Sequence, residues 1–272
     1  MTVRSSSIDE LPNALTDGEE LVRRLGVAPP AVFLDYDGTL TPIVDRPEDA
    51  IISEEMRETV RELATRCTVC VVSGRDRQVV QDLMGVYDLV VAGSHGFDIW
   101  SPDTGTIEHS AATGFEELLA RITAELEGAL ETIEGAVVER KRASVAAHYR
   151  LASERGREQV TAVVDDLLAR HPDELKVTPG KMVYEIQPKL DWDKGAAVLH
   201  LLAVLGIGAD RVPIYVGDDI TDEHAFEALA GRGIGVIVAA EDDPEASGRP
   251  TAAEFVLRSV DEVERFLDSL AR

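Results

Sequence analysis

Cysteine is nearly absent from this 272-residue chain. Cys67 and Cys70 have a C-x-x-C spacing that invites a redox or zinc reading, but Cys67-Thr68-Val69-Cys70-Val71-Val72 reads as a strand. Residues three apart on a strand face opposite sides. No second C-x-x-C and no nearby histidine completes a zinc site. Both cysteines are therefore expected in ordinary core packing. Basic residues are scarce as well: 27 Lys and Arg stand against 51 Asp and Glu, a formal net charge of -24. Such a surface repels nucleic acid phosphates and anionic membranes, so neither is expected as a partner. A small phosphorylated ligand remains compatible where a few cations or a metal reverse the local field. Long apolar runs are missing too. None reaches the roughly 18 residues of a membrane helix, and no secretory-type run follows Met1. A cytoplasmic protein is expected. There is no internal repeat and no low-complexity tract.

Hydrophobic residues make up 44% of the chain, enough for a folded globule. The length falls between one large domain and two modest ones. The spacing of Leu11, Leu15, Val22 and Leu25, with Leu21 beside them, predicts an N-terminal helix over 8–26, ended by Gly26 and Pro29-Pro30. Apolar runs then alternate with helical patterns: a strand to Asp35, a helix capped by Ser53, a strand over 67–72, a helix over 76–84 and a strand over 88–92. Strand, helix, strand with glycine turns at strand ends predicts a doubly wound parallel sheet. The pattern changes near residue 99. Helices over 115–130 and 154–169 frame alternating segments at 137–150 and 182–186, as in an antiparallel sheet covered on one side. The doubly wound pattern resumes at Lys194. The fold class expected is α/β, a Rossmann-like core with an inserted α+β cap domain. Its expected parts are an N-terminal helical extension at 1–30, a core at 31–98 and 189–272, and a cap at 99–188.

Two acidic clusters stand at predicted strand ends, Asp35/Asp37 and Asp218/Asp219/Asp222. In open α/β sheets the ligand crevice lies beyond such ends. Asp35 and Asp37 are two apart, which suits either a nucleophile beside an acid/base or two contacts to one metal. Oxygen ligands clustered without Cys or His favour Mg²⁺. Ser73-Gly74 at a strand end and Lys194 opening a helix supply a hydroxyl, backbone N–H groups and a cation, the parts of a phosphate cradle. Metal, cradle and an attacking carboxylate together point to phosphoryl transfer. Taken singly, Asp218 and Asp219 could be mere helix caps.

Asp35-Tyr36-Asp37-Gly38-Thr39-Leu40, Ser73-Gly74-Arg75, Lys194 and Gly217-Asp218-Asp219-Ile220-Thr221-Asp222 occur in an order that resembles the haloacid dehalogenase-like phosphohydrolases. The resemblance implies that Asp35 attacks phosphorus and becomes an aspartyl phosphate, while Asp37 serves as acid and then base. It implies Mg²⁺ held by Asp35, the Asp37 backbone carbonyl and Asp218, with Asp219 or Asp222 assisting directly or from behind. Ser73, Gly74 and Lys194 would hold the phosphoryl oxygens, and Thr39 would support the loop.

Further pieces resemble the trehalose-6-phosphate phosphatases: Gly93-Ser94-His95-Gly96, Val138-Glu139-Arg140-Lys141, His148-Tyr149-Arg150, Gly180-Lys181-Met182-Val183-Tyr184-Glu185, Asp191-Trp192-Asp193-Lys194-Gly195 and Asp222-Glu223-His224-Ala225-Phe226. The likeness runs from about residue 31 to the C-terminus and is missing from the first 30 residues and from 242–250. It implies that Glu139, Lys141 and Glu185 contact sugar hydroxyls, that Arg75, His95 and Gly96 line the substrate crevice, and that His148 and Arg150 support the cap sheet. The expected partner is a small sugar phosphate. Another sugar phosphate (of sucrose, a glycosyl-phosphoglycerate or a pseudo-disaccharide), a catalytically silent sensor and a phosphomutase are the alternative readings.

Overall fold

The computed structural model describes residues 6–44, 46–107, 115–180, 182–190, 192–243 and 246–272. Lys181 and Asp191, both in motifs quoted above, lie outside them. The chain divides into two compact units, Met1–Ile107 with Trp192–Arg272, and Glu108–Asp191. The elements in chain order are β1 (Ser6–Ser7), α1 (Glu19–Leu25), β2 (Ala31–Leu34), α2 (Glu54–Arg66), β3 (Thr68–Val72), α3 (Arg77–Met84), β4 (Val90–Gly93), β5 (Asp98–Ser101) and β6 (Gly105–Ile107). Next come α4 (Glu116–Leu130), β7 (Val137–Arg140), β8 (Val145–His148), α5 (Glu154–Arg170), β9 (Leu175–Gly180) and β10 (Val183–Pro188). The chain ends with α6 (Lys194–Val204), β11 (Pro213–Gly217), α7 (Glu223–Leu229), β12 (Ile234–Val238), β13 (Pro250–Thr251), β14 (Phe255–Leu257) and α8 (Val260–Ala271).

In the first unit eight strands form one sheet in the order β14-β12-β11-β2-β3-β4-β5-β6. All pairings from β14 to β4 are parallel. Both faces of the central strands are covered, which is why β2, β3 and β11 read as unbroken apolar runs. Alternate residues go to opposite faces. Val32 and Leu34 pack with Met56, Val60 and Leu63 of α2 and Val263, Phe266 and Leu267 of α8. Ala31 and Phe33 pack with Val198, Leu201 and Leu202 of α6 and Phe226 and Leu229 of α7. Cys70 lies in this second cluster, while Cys67 ends α2 against the first. Both cysteines are free thiols set in core packing on opposite sides of the sheet.

The chain leaves β2 toward β3 and β4 on one side, and later adds β11, β12 and β14 on the other. The order therefore reverses between the paired strands β2 and β11. The connections on either side of such a point diverge and leave a crevice at the carboxyl ends.

The second unit holds an antiparallel sheet, β7-β8-β10-β9. Val145 and Ile186 are fully buried on one face, where α4 and α5 contribute Leu119, Ile122, Val160 and Val164. The segment at 137–150 is a hairpin, turning at 141–144, where Lys141 N bonds Ser144 O.

Two boundaries differ from those expected. Residues 98–107 pair antiparallel onto β4 as a hairpin, extending the core sheet instead of opening the inserted unit. The N-terminal segment is α-helical only over Glu19–Leu25, with a 3-10 turn at Ile8–Glu10. Pro12, which lacks an N–H, and Asn13 instead run beside β14: Val256 N bonds Pro12 O and Ala14 N bonds Val256 O. Leu21 is buried and Val22 exposed, so the inward stripe is not the one that the spacing predicted. With Ile8 fully buried against the core, this segment belongs to the first unit and is not a separate helical extension.

Candidate active site

Asp35 follows β2, and Asp218 follows β11, at the two strand ends that flank the reversal. The chain then turns tightly: Gly38 N bonds Thr41 O at 2.8 Å and Gly38 has φ 73. A Cβ at Gly38 would lie 2.0 Å from Asp218 Oδ2, so only glycine lets the two strand ends approach this closely. Thr39, in the same turn, is fully buried, and its hydroxyl has no hydrogen-bond partner among the described residues.

Lys194, at the start of α6, is buried between two carboxylates. Its Nζ donates to Asp222 Oδ1 at 2.7 Å and lies 3.1 Å from Asp35 Oδ1. Asp193 just before it caps the helix by accepting from Ala196 N, which sets the lysine at the first turn. Asp222 is fully buried and accepts four bonds. Besides Lys194, Tyr215 OH donates to Oδ1 at 2.6 Å, and the Asp218 and Asp219 N–H groups donate to Oδ2 at 3.1 and 3.0 Å. It therefore anchors the loop that presents Asp218. Asp219, named above as a metal ligand, is exposed, and its carboxylate caps the following turn by accepting from Ile220 N at 2.6 Å. Asp222, expected like Asp219 to assist the metal directly or from behind, is the third acid of the cluster that the structure assembles.

One ligand oxygen each of Asp35, Asp218 and Asp222 lies within 4.8 Å of the others. Burial pushes the Asp35 carboxyl up to about 7, against the pull of Lys194. Burial, then the neighbouring Asp35 and Asp222, pushes Asp218 up to about 9. Burial alone would lower Lys194, but Asp222 and Asp35 hold it above its ordinary value. Crowded carboxyls that retain protons for want of counter-charge fit a divalent cation, and an all-oxygen donor set is of the hard-cation type. With Asp222 occupied by four donors, Asp35 and Asp218 are the side chains that would hold it.

Asp37 is not among these ligand atoms. Arg75 grips it by two bonds, Nε to Oδ2 and Nη2 to Oδ1, both 2.6 Å. The same guanidinium donates to Pro47 O and lies over the Tyr36 ring, 5.8 Å from its centroid. Arg75, expected in the substrate crevice, thus braces the loop that carries Asp37. Ser73 is buried beyond β3, its Oγ accepting from Arg75 N at 3.2 Å. His95 and Gly96 follow β4, and His95 packs over Gly74. Gly96 has φ 91, and a Cβ there would clash with Ala197 of α6.

In the inserted unit Glu139, Ala146 and Glu185 form one cross-strand row on the face away from the helices. The two glutamates are two strand spacings apart, about 9–10 Å, over an alanine floor. Lys141 Nζ is 3.4 Å from Glu185, and Ser144 Oγ donates to the same oxygen at 2.7 Å. His148 bonds Glu139 at 2.8 Å. Arg150 lies just past β8, where its carbonyl accepts from Arg157.

Tyr215, Ser144 and Arg249 were not singled out by sequence. Tyr215 had a signal: a phenol inside the otherwise apolar Pro213-Ile214-Tyr215-Val216 needs a buried partner. Arg249 donates to the Asp218 carbonyl at 3.3 Å from a loop with no motif.

This strand order, with its acids and lysine at the reversal and an α+β insertion, defines a haloacid dehalogenase-like chain. The family model described as trehalose-phosphatase matches residues 33–261, and the chain belongs to that family. It is 41% identical over 271 residues to a trehalose-phosphate phosphatase of Mycobacterium tuberculosis, covering 99% of this chain and 67% of that protein. It is also 42% identical over 270 residues to an uncharacterized glycosyl hydrolase of the same species, covering 98% of this chain but 20% of that protein. A solved trehalose-6-phosphate phosphatase of Aspergillus fumigatus superposes with a TM-score of 0.66 at 29% identity, over 96% of this chain and 98% of that one.

Proposed function

We propose that the chain hydrolyses trehalose 6-phosphate to trehalose and phosphate, with Mg²⁺, in the cytoplasm. The observation that carries this is the buried Asp35 carboxylate at the strand-order reversal, 3.1 Å from Lys194 Nζ and clustered with Asp218. An Asp35 oxygen attacks phosphorus and the bond from phosphorus to the sugar oxygen breaks, leaving an acyl phosphate. Asp37 gives the departing oxygen its proton, then takes one from the water that attacks the acyl phosphate and releases phosphate. Both Asp37 oxygens now meet Arg75, so one of those bonds exchanges for the substrate. Lys194 offsets the charge on the transferring oxygens and is kept in place by Asp222. A bound Mg²⁺ supplies charge neutralisation at the phosphoryl group. The Glu139–Ala146–Glu185 face, with Lys141, supports sugar recognition, because its carboxylates and ammonium match vicinal hydroxyls.

A panel of sugar phosphates assayed for phosphate release, with and without Mg²⁺, tests this. Trehalose 6-phosphate should give the highest kcat/KM, and Asp35→Asn should abolish turnover. A kcat/KM no better than for glucose 6-phosphate overturns the substrate, and activity in Asp35→Asn overturns the nucleophile.

A further inference from the structure

The loop after β3 and the turn after β4 are joined beside Ser73. Ser94 N donates to Arg75 O at 2.7 Å, and His95 N donates to Ser73 O at 2.8 Å. Ser94 and His95 both hold left-handed backbone, φ 51 and φ 56, although neither is glycine. Such backbone is unfavourable for a residue with a Cβ. Asp76 stands at the N-cap of α3, where an aspartate ordinarily bonds the first N–H groups of the helix, yet its side chain makes no capping bond. It accepts instead from Ser94 Oγ at 2.7 Å. The stabilising local cap is thereby forgone.

Three locally unfavourable choices thus coincide at one turn, and they share one consequence. The His95 imidazole lies across Gly74, where a Cβ would come within 2.8 Å of Cε1 and 3.0 Å of Nε2. Gly74 admits the ring, and Asp76 holds the turn that carries it. Local rules broken together at one strand end are expected at a functional site.

We propose that Asp76 is a positioning residue: through Ser94 it holds the His95 imidazole against Gly74, next to Ser73, as a hydrogen-bonding partner for the substrate's phosphoryl group. This rests on the phosphatase reading above. Serine caps a helix as well as aspartate does but is too short to reach Ser94, whereas asparagine keeps the acceptor.

Kinetics of the full chain on trehalose 6-phosphate separate the two roles. Asp76→Ser, Asp76→Ala and Ser94→Ala should each lower kcat/KM by about tenfold, and Asp76→Asn by less than about threefold. Asp76→Ala combined with His95→Ala should be no worse than His95→Ala alone, because the aspartate acts through the ring. Wild-type kinetics in Asp76→Ser, or losses that multiply in the double variant, overturn the proposal. A second readout needs no turnover. The His95 ring resonances, assigned among the six histidines by a His95→Gln variant, should move in Asp76→Ser and stay in Asp76→Asn. Resonances unmoved in Asp76→Ser overturn the positioning role. A wild-type protein inactive on every sugar phosphate defeats the phosphatase reading, while the ring resonances still decide the placement.

Discussion

Lys194 and Asp222 form a fully enclosed ion pair, Nζ to Oδ1 2.7 Å, and the same ammonium reaches Asp35. The lysine is the only side-chain cation among the described residues that bonds either acid. Removing one partner of a buried pair strands the other, at about 3–5 kcal/mol. Lys194→Ala should therefore lower stability by about that amount and kcat by about 10²–10³. Tyr215→Phe removes one bond to a charged acceptor and leaves the pair, so about 1.5–3 kcal/mol is expected. Urea unfolding of both variants beside wild type checks the order. Equal losses would mean that the ion pair is not what holds the loop.

Cation binding should depend on pH. Burial, with the Asp222 charge, raises Asp35 to about 7, and burial, with the charges of Asp35 and Asp222, raises Asp218 to about 9. Raised carboxyls bind protons more tightly folded than unfolded. Their stabilisation is thus complete below the ordinary carboxylate range and is lost as pH rises through those values. Without divalent cation, Tm should fall from about pH 4 to about pH 9, and Mg²⁺ must displace protons to bind. The Tm increment from Mg²⁺ should grow over the same interval. A flat or rising Tm in EDTA would contradict this.

Much of this was legible in sequence because it rests on local pattern. The strand runs at 31–34 and 213–217 are apolar throughout because both faces are buried, and the acids follow them directly. What was not legible depends on long-range pairing. Nothing local distinguishes Asp219, which caps a turn, from Asp222, which anchors Lys194; only the return of α6 to this strand end does so. The resemblance puts Arg75 in the substrate crevice, but its grip on Asp37, 38 residues away in the chain, has no local signal. Residues 99–107 read as part of the insertion because antiparallel pairing onto β4 leaves no trace in their own short segments.

Long-range contacts also place the N-terminal segment on the core. Ile8 N bonds Arg249 O, Asp9 accepts from Gly248 N, and Arg249 reaches the Asp218 carbonyl. The Ile8 side chain is fully buried in the core cluster on the sheet face covered by α6 and α7. Ile8→Ala should cost about 2–5 kcal/mol, whereas Asp9→Ala, which removes an exposed bond, should cost under about 1 kcal/mol. A neutral Ile8→Ala in urea unfolding would show that the segment is not docked on the core.

Ser144 offers the most selective test of the inserted unit. Its buried hydroxyl and Lys141 bond the same Glu185 oxygen, at 2.7 and 3.4 Å, and so fix how that carboxylate sits beside Ala146. Ser144→Ala keeps the hairpin, since Lys141 N bonds the Ser144 carbonyl and not its side chain. The glutamate then loses one of its two guides, and the loss of a hydrogen bond to a charged group is worth about 1.5–3 kcal/mol. If Glu185 contacts sugar, the effect should fall on binding: KM for trehalose 6-phosphate rises about tenfold or more while kcat changes little. Turnover of p-nitrophenyl phosphate, which has no sugar hydroxyls, should not change. Equal losses on both substrates would place the role of Ser144 in stability and not in recognition.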